Sequence, residues 1–377
     1  MKFWVVIFSI FFISFIVNFF INDKQRKLLS VSLIVFITII SVFRNNIGLD
    51  YFEYERLFYN TDLSLSQIKL IEPSFILLSC LLKYFGLTSQ ALFAIYAIFT
   101  NIFIYLGAKY YCKDKLFSLN NFIIFWCIYF IGWWNSLTQI RQVLAVAVIF
   151  YVSKYLIESN LKRYLIGVIC AFFVHYSSVV LILLYPFRTI KINLKYFIPI
   201  LLLLINLSAF GIIREGIIFF INNIPFSVYK ITAYVNNETK VLQSFIEKGG
   251  TGLGTLFYYC IFISAIVLVD KNYKFKDNLI LLTTIGLVIK TVFFMFLPLA
   301  RISLYFELFG FIMLANFKYE KLKTLFIVFL TLGMLIISLR HINQTPLSPK
   351  KDFSHNTNKN IEYQFKINFF ETKGFNL

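Results

Sequence analysis

Charge is scarce in this chain. Asp, Glu, Lys and Arg make up 14% of 377 residues, and a soluble domain of this length carries more. Cysteine is sparse and scattered. Cys80, Cys112, Cys127, Cys170 and Cys260 lie mostly within apolar runs, with no CxxC and no Cys/His cluster. That spacing supports neither a disulfide framework nor a zinc site. Three catalytic signatures are missing: His-Glu-x-x-His, the Gly-x-Ser-x-Gly nucleophile elbow and the Walker P-loop. ATP bound to this chain is therefore not its energy source, and an activated donor that already carries its leaving group needs none. No Asp-x-Asp occurs, so a divalent metal at paired carboxylates has little support. The first apolar run, 2–21, has little basic n-region and no small-residue cleavage site, and reads as a retained first helix. No internal repeat or low-complexity linker stands out.

What is present is apolar. Hydrophobic residues form 59% of the chain and aromatics 20%. Runs of roughly 17–25 apolar residues recur from end to end, the length a helix needs to cross hydrocarbon. Strict alternation of apolar and polar residues, the mark of a membrane β-barrel, does not occur. The expected fold is all-α: a polytopic transmembrane helical bundle filling a single domain over 1–340. A polar, Asn/Lys-rich and loosely ordered tail follows at 341–377. The net charge of +18 fits cytoplasmic loops rich in Lys and Arg better than it fits nucleic acid, for which no motif is present.

Basic clusters at 24–27, 109–115, 154–163, 188–195, 271–276 and 318–323 set the orientation. If all are cytoplasmic, the N-terminus is outside. About ten full spans follow, near 3–21, 28–43, 90–107, 117–134, 137–154, 197–213, 253–270, 278–297, 302–317 and 323–339. Two segments break the parity. The stretch 73–85 starts and ends outside, and 164–187 starts and ends inside with His175-Tyr-Ser-Ser178 at its midpoint. Each resolves as a re-entrant segment or a pair of short helices, unless one basic cluster is external and both are ordinary spans. The external segments are 44–72 and 214–251, the latter suited to a helix lying in the interface. Gly249-Gly-Thr-Gly-Leu-Gly254 lacks the βαβ context of a phosphate loop and reads as a flexible helix entry.

This topology places Arg44, Arg141 and Arg301 at the outer ends of their helices. Each could snorkel to the headgroups. Three on one face, each beside other polar residues, point instead to an anion site suited to a lipid phosphate or pyrophosphate, because guanidinium binds phosphate oxygens two at a time and stays charged. Asp50, Glu53 and Glu72 lie near them. Their roles are to pair with the arginines, to act as general base or to hold a sugar hydroxyl. His175 is the one histidine in the apolar body of the chain. Burying it in lipid has a cost, which makes it a candidate base or phosphate ligand as well as a structural hydrogen-bonding group. Tyr51, Tyr54, Trp133 and Trp134 could stack on sugar rings or anchor the chain at the interface.

Several of these residues fall in motifs. They are Arg44…Gly48-Leu-Asp50-Tyr51…Tyr54, Glu72-Pro-Ser-Phe-Ile-Leu-Leu, Ile140-Arg141-Gln142-Val-Leu-Ala, Phe173-Val-His175-Tyr-Ser177-Ser178 and Arg301…Tyr305-Phe306. In order and spacing, over roughly 30–310, the chain resembles the EpsG-like/Wzy family of bacterial polysaccharide polymerases. The tail after His341 departs from the family pattern. The resemblance implies a metal-independent membrane glycosyltransferase without a cofactor, working in the cytoplasmic (inner) membrane on its extracytoplasmic face. Its substrates would be undecaprenyl-pyrophosphate-linked repeat units of O-antigen, capsule or exopolysaccharide. A flippase and a chain-length regulator of the same pathway are the implied partners, alongside the bilayer. Carried onto this chain, His175, Asp50 and Glu72 are the catalytic candidates. Arg44, Arg141, Gln142, Arg301, Tyr305 and Tyr51 are the candidates for substrate or pyrophosphate binding. Two other readings fit a multispanning chain: a lipid-linked oligosaccharide flippase, and another membrane transferase such as an O-antigen ligase or sugar O-acyltransferase. The flippase needs a polar path through both leaflets and usually two related halves, neither of which the sequence displays.

Overall fold

The computed structural model describes residues 2–62, 71–113, 115–129, 132–223, 253–294, 296–318, 320–344 and 364–365. These residues are overwhelmingly helical, as the apolar runs require. Four helices are long and apolar enough to cross a membrane: Asp23–Val42, Ser89–Cys112, Ile140–Ile157 and Lys321–Arg340 of the helix Lys321–Gln344. Shorter apolar helices include Phe3–Val17, Pro73–Tyr84, Leu116–Ile128, Leu194–Ala209 and Gly254–Leu268. The all-α, multi-helix reading holds in this form, with several of the expected spans shorter than the sequence suggested.

One difference has a visible cause. The run near 117–134 does not stay helical. Its helix stops at Ile128, and a separate short helix runs Trp133–Thr138. Gly132 lies at this break, so close to the Trp126 carbonyl that a Cβ would overlap it. The stretch 164–187 is not one helix either. Leu161–Val174 is α-helical, His175 is extended (φ −155°, ψ 121°), and Tyr176–Leu183 continues as a tighter 3-10 helix. The expected alternative of two short helices is the form observed there, with the break at the histidine. The stretch 73–85 is one helix, Pro73–Tyr84.

By its internal contacts the chain divides into two compact units, 1–185 with 318–377, and 186–317. In the first, the helix Ile140–Ile157 is central and buried, flanked by Ser89–Cys112 and Leu161–Val174. Gly107 faces Phe150 and Gly167 faces Val152 with no room for a side chain. This is the small-residue packing that lets helices approach closely in lipid. Amide side chains add interhelical bonds: Asn101 Nδ2 donates to Thr38 Oγ1 at 2.8 Å, and Asn18 Nδ2 to Asn121 Oδ1 at 2.9 Å. Polar residues at the basic loops start the helices. Asn22 and Gln25 form a reciprocal capping box, and Asn160 accepts from the Arg163 N–H. In the second unit, Leu304–Ala315 packs against Lys276–Val292 and Leu253–Leu268.

Of the external segment expected at 44–72, the structure describes a helix at Tyr51–Asn60. Of that expected at 214–251, it describes the helix Ile212–Asn223, and 224–252 lie outside the described residues. The same holds for most of the tail 341–377. There, helix continues to Gln344, and Gln364–Phe365 pairs antiparallel with Arg44–Asn45.

Candidate functional site

The site is built on the start of the helix Pro73–Tyr84. Pro73 at the first helical position fixes φ for the turn and spares a donor that would be unpaired anyway. It leaves Glu72 as the residue before the helix, in extended backbone. A carboxylate there often caps its own helix, but Glu72 makes no such bond. Its side chain turns instead to two distant residues. Oε2 accepts from Arg141 NH1, 69 positions on, and Oε1 lies 2.6 Å from His175 Nδ1, 103 positions on.

Glu72 is only 4% exposed. Burial alone would push its carboxyl up. The His175 hydrogen bond and the Arg141 charge more than offset that, and the carboxyl is held below its ordinary value. An ionised carboxylate only accepts hydrogen bonds, so His175 Nδ1 carries the proton of this contact. In the neutral ring the other nitrogen, Nε2, then carries the free lone pair. The imidazole keeps about a quarter of its surface exposed, at 26%.

Each partner is held by its own element. His175 ends the helix Leu161–Val174, and its N–H donates to the Ala171 carbonyl at 2.8 Å. Beside it, the Tyr176 hydroxyl donates to the Ile71 carbonyl at 3.1 Å. Residues 71–72 are thus tied twice to residues 175–176. Arg141 is the second residue of Ile140–Ile157, after a break at Gln139 (φ −106°, ψ 61°). Its guanidinium lies over the rings of Tyr54 (5.2 Å) and Phe75 (5.3 Å). These are cation–π contacts that hold the charge in place without consuming all of its donors.

The 44–54 segment lies against the same helix junction. Arg44 is 2% exposed, donates from NH1 to the Leu137 carbonyl and lies 4.8 Å over Phe93. Tyr51, 1% exposed, stacks on the same Phe93 at 4.8 Å. Gly48 has φ +102°, and a Cβ there would overlap the Leu137 carbonyl. The backbone needs glycine twice over at this point, for its conformation and for its closeness. Asp50 precedes the helix Tyr51–Asn60. Gln142 is buried next to Arg141. Trp133 and Trp134 are buried as well: Trp133 donates to Ser41 Oγ at 2.9 Å, and both indoles pack on Trp4.

Glu72, Arg141 and His175 are therefore brought together, while Arg44 and Tyr51 sit against the segment that leads into Arg141. Arg301 and Tyr305 belong to the second unit. Arg301 opens a 3-10 turn, Arg301–Ser303, and Tyr305 is fully buried in the helix that follows. Tyr54, expected from the sequence to stack on a sugar ring or anchor the chain at the interface, lies beneath the Arg141 guanidinium. Among the described residues, no group of three or more His, Cys, Asp and Glu has the placement to hold a metal ion.

A sequence model of the EpsG family matches residues 27–364, nearly the whole chain; it runs beyond the expected 30–310 and takes in part of the tail after His341 that reads as a departure from the family. No curated protein matches the chain, and no solved structure does.

Proposed function

The chain belongs to the EpsG family, and from that premise we propose that it polymerises lipid-linked oligosaccharide repeat units at a site made of Glu72, Arg141 and His175. Family and apolar helices together make it a multi-pass membrane protein with a polysaccharide polymerase-like role. The finer reading is ours. The donor is a growing glycan on undecaprenyl pyrophosphate, and the acceptor is a hydroxyl at the non-reducing end of a second lipid-linked unit. The shorter helices complete further crossings with their neighbours. The bilayer is the bacterial cytoplasmic membrane, with the site on its outer face; basic clusters that read as cytoplasmic support that orientation.

The chemistry follows from the contacts. The acceptor oxygen bonds to the donor's anomeric carbon as the bond from that carbon to the pyrophosphate oxygen breaks, and the electron pair leaves with the pyrophosphate. His175 Nε2 takes the hydroxyl proton, since Glu72 fixes the proton on Nδ1. The imidazolium so formed is stabilised by the carboxylate already in contact with it. Arg141 meets the negative charge that develops on the pyrophosphate. Arg301, exposed in the second unit, is a separate candidate for a lipid-linked phosphate, and Asp50 is the candidate ligand to a sugar hydroxyl. Arg44 and Tyr51 hold the chain segment that positions Arg141.

The observation that carries this reading is the buried Glu72 carboxylate shared between a guanidinium and an imidazole. An ion pair kept at the edge of an apolar bundle costs desolvation and needs a reason. The test is the glycan profile of a strain lacking this chain. The proposal expects lipid carrying one repeat unit, displayed outside, and no long chains. No displayed repeat unit would favour the flippase, and long chains left on the lipid carrier would favour the ligase.

A further inference from the structure

A second buried carboxylate lies in the other compact unit. Glu307 falls in the first turn of Leu304–Ala315, a helix otherwise free of charge. It is 5% exposed. In hydrocarbon a carboxylate with no partners is costly, and such residues mark function more often than packing.

Its partners come from separate elements. The Tyr258 hydroxyl, on Leu253–Leu268, donates to Glu307 Oε1 at 3.1 Å. Ser303 Oγ, from the 3-10 turn Arg301–Ser303, donates to the same oxygen at 3.3 Å. Lys290, on Lys276–Val292, supplies the nearby positive charge, with Nζ 5.6 Å from the Tyr258 ring centre. Tight packing keeps the group in place. A Cβ at Gly286 would overlap Phe306, and one at Gly310 would overlap the Phe262 ring. The helix bearing Glu307 is therefore pressed between the helices bearing Lys290 and Tyr258.

The turn held in this way begins at Arg301, two residues before Ser303, and Arg301 is exposed. We propose that Glu307 is a positioning residue for Arg301: through Ser303 and Tyr258 it fixes the turn from which Arg301 reaches a lipid-linked phosphate. The proposal rests on the polymerase reading above. It assigns Glu307 no contact with substrate. The carboxylate accepts two hydrogen bonds, and its work is to set the direction in which a neighbouring guanidinium leaves the helix end.

The experiment uses full-length protein in detergent or nanodiscs, with synthetic lipid-linked repeat units as probe. Arg301→Ala should reduce kcat/KM by about 10- to 100-fold, the range of a lost charge-assisted contact to phosphate. Glu307→Ala should reproduce most of that loss, chiefly as a raised KM for the lipid-linked substrate. Glu307→Gln should restore it, because the amide oxygen still accepts from Tyr258 and Ser303. The double variant Arg301→Ala/Glu307→Ala should be no worse than Arg301→Ala alone. If Glu307→Ala does not fold, Ser303→Ala combined with Arg301→Ala gives the same cycle. Losses that multiply in the double variant would overturn the proposal and leave Glu307 as helix packing. So would wild-type KM in Glu307→Ala or Ser303→Ala, or a Gln variant as impaired as Ala. Arg141→Lys and His175→Ala are run alongside. If they lose activity while Glu307 and Arg301 variants keep it, this inference falls together with the phosphate role of Arg301, and the site at Glu72, Arg141 and His175 stands; if all keep it, the polymerase reading falls.

Discussion

Glu72→Gln changes one atom and removes one charge, and the structure makes its consequence specific. The carboxylate accepts from Arg141 through Oε2 and from His175 Nδ1 through Oε1. A glutamine amide offers one acceptor and one donor group, so it can serve only one of these partners. With its oxygen toward Arg141, its NH2 faces Nδ1. Nδ1 must then accept, and the imidazole proton moves to Nε2, the nitrogen needed as base. With its oxygen toward His175, its NH2 faces the guanidinium, and Arg141 loses its counter-charge. In the first case the loss is the share of a general base, about 10²- to 10⁴-fold in rate. In the second it is a broken, mostly buried pair, worth about 3 kcal/mol or more in stability where both groups are fully buried and less here, because Arg141 is 19% exposed. Turnover of synthetic lipid-linked repeat units and thermal melting of the purified protein separate the two. The expected result is turnover at or below about 1% of wild type. Glu72→Asp should fall between, since it keeps both acceptors on a shorter arm. Turnover within about threefold of wild type in Glu72→Gln would refute the tautomer argument.

Arg141→Lys keeps the charge but loses the planar fork and its stacking on Tyr54 and Phe75, and should cut the yield of long-chain glycan about 10- to 100-fold at normal protein level. Wild-type chain length would leave Arg141 as a structural partner of Glu72. Gly48→Ala should cost about 1–3 kcal/mol of stability and so lower protein level and melting temperature, since φ +102° and the Leu137 carbonyl both exclude a side chain. Because the folded Glu72 carboxyl lies below its unfolded value, its stabilising contribution is present above the unfolded pKa of about 4.3 and is lost as pH falls through the folded value. The melting temperature should therefore drop on acidification, and drop less in Glu72→Gln. A cysteine at position 60, in a cysteine-free background, should label from outside the cell; labelling only from the cytoplasm would place the site on the wrong face.

Much of the helical order was legible because lipid leaves little choice. A run of apolar residues that length must satisfy its backbone internally, and the helices fall where the runs do. The break at His175 was legible too, since a polar cluster in mid-run interrupts the pattern. Where Gly132 ends one helix early, the signal was a single residue whose meaning depends on the distant Trp126 carbonyl. The site itself was legible as residue types but not as contacts. Glu72, Arg141 and His175 are separated by 69 and 103 positions, and no periodicity links residues that far apart. Gly48 gave the same partial signal, a glycine with no hint that Leu137 lies against it. Glu307 is readable from the sequence as the one acid in an apolar run, directly after the motif that ends at Tyr305-Phe306.

The central claim is that this protein joins lipid-linked repeat units by using His175 as base. Purified wild-type protein and His175→Ala, incubated with the same synthetic lipid-linked unit, test it most directly by product length. The account predicts a ladder of polymerised lipid-linked glycan from the wild type and at least about a hundredfold less product from the variant, with no rescue by His175→Gln. A ladder of wild-type length and yield from His175→Ala would contradict it.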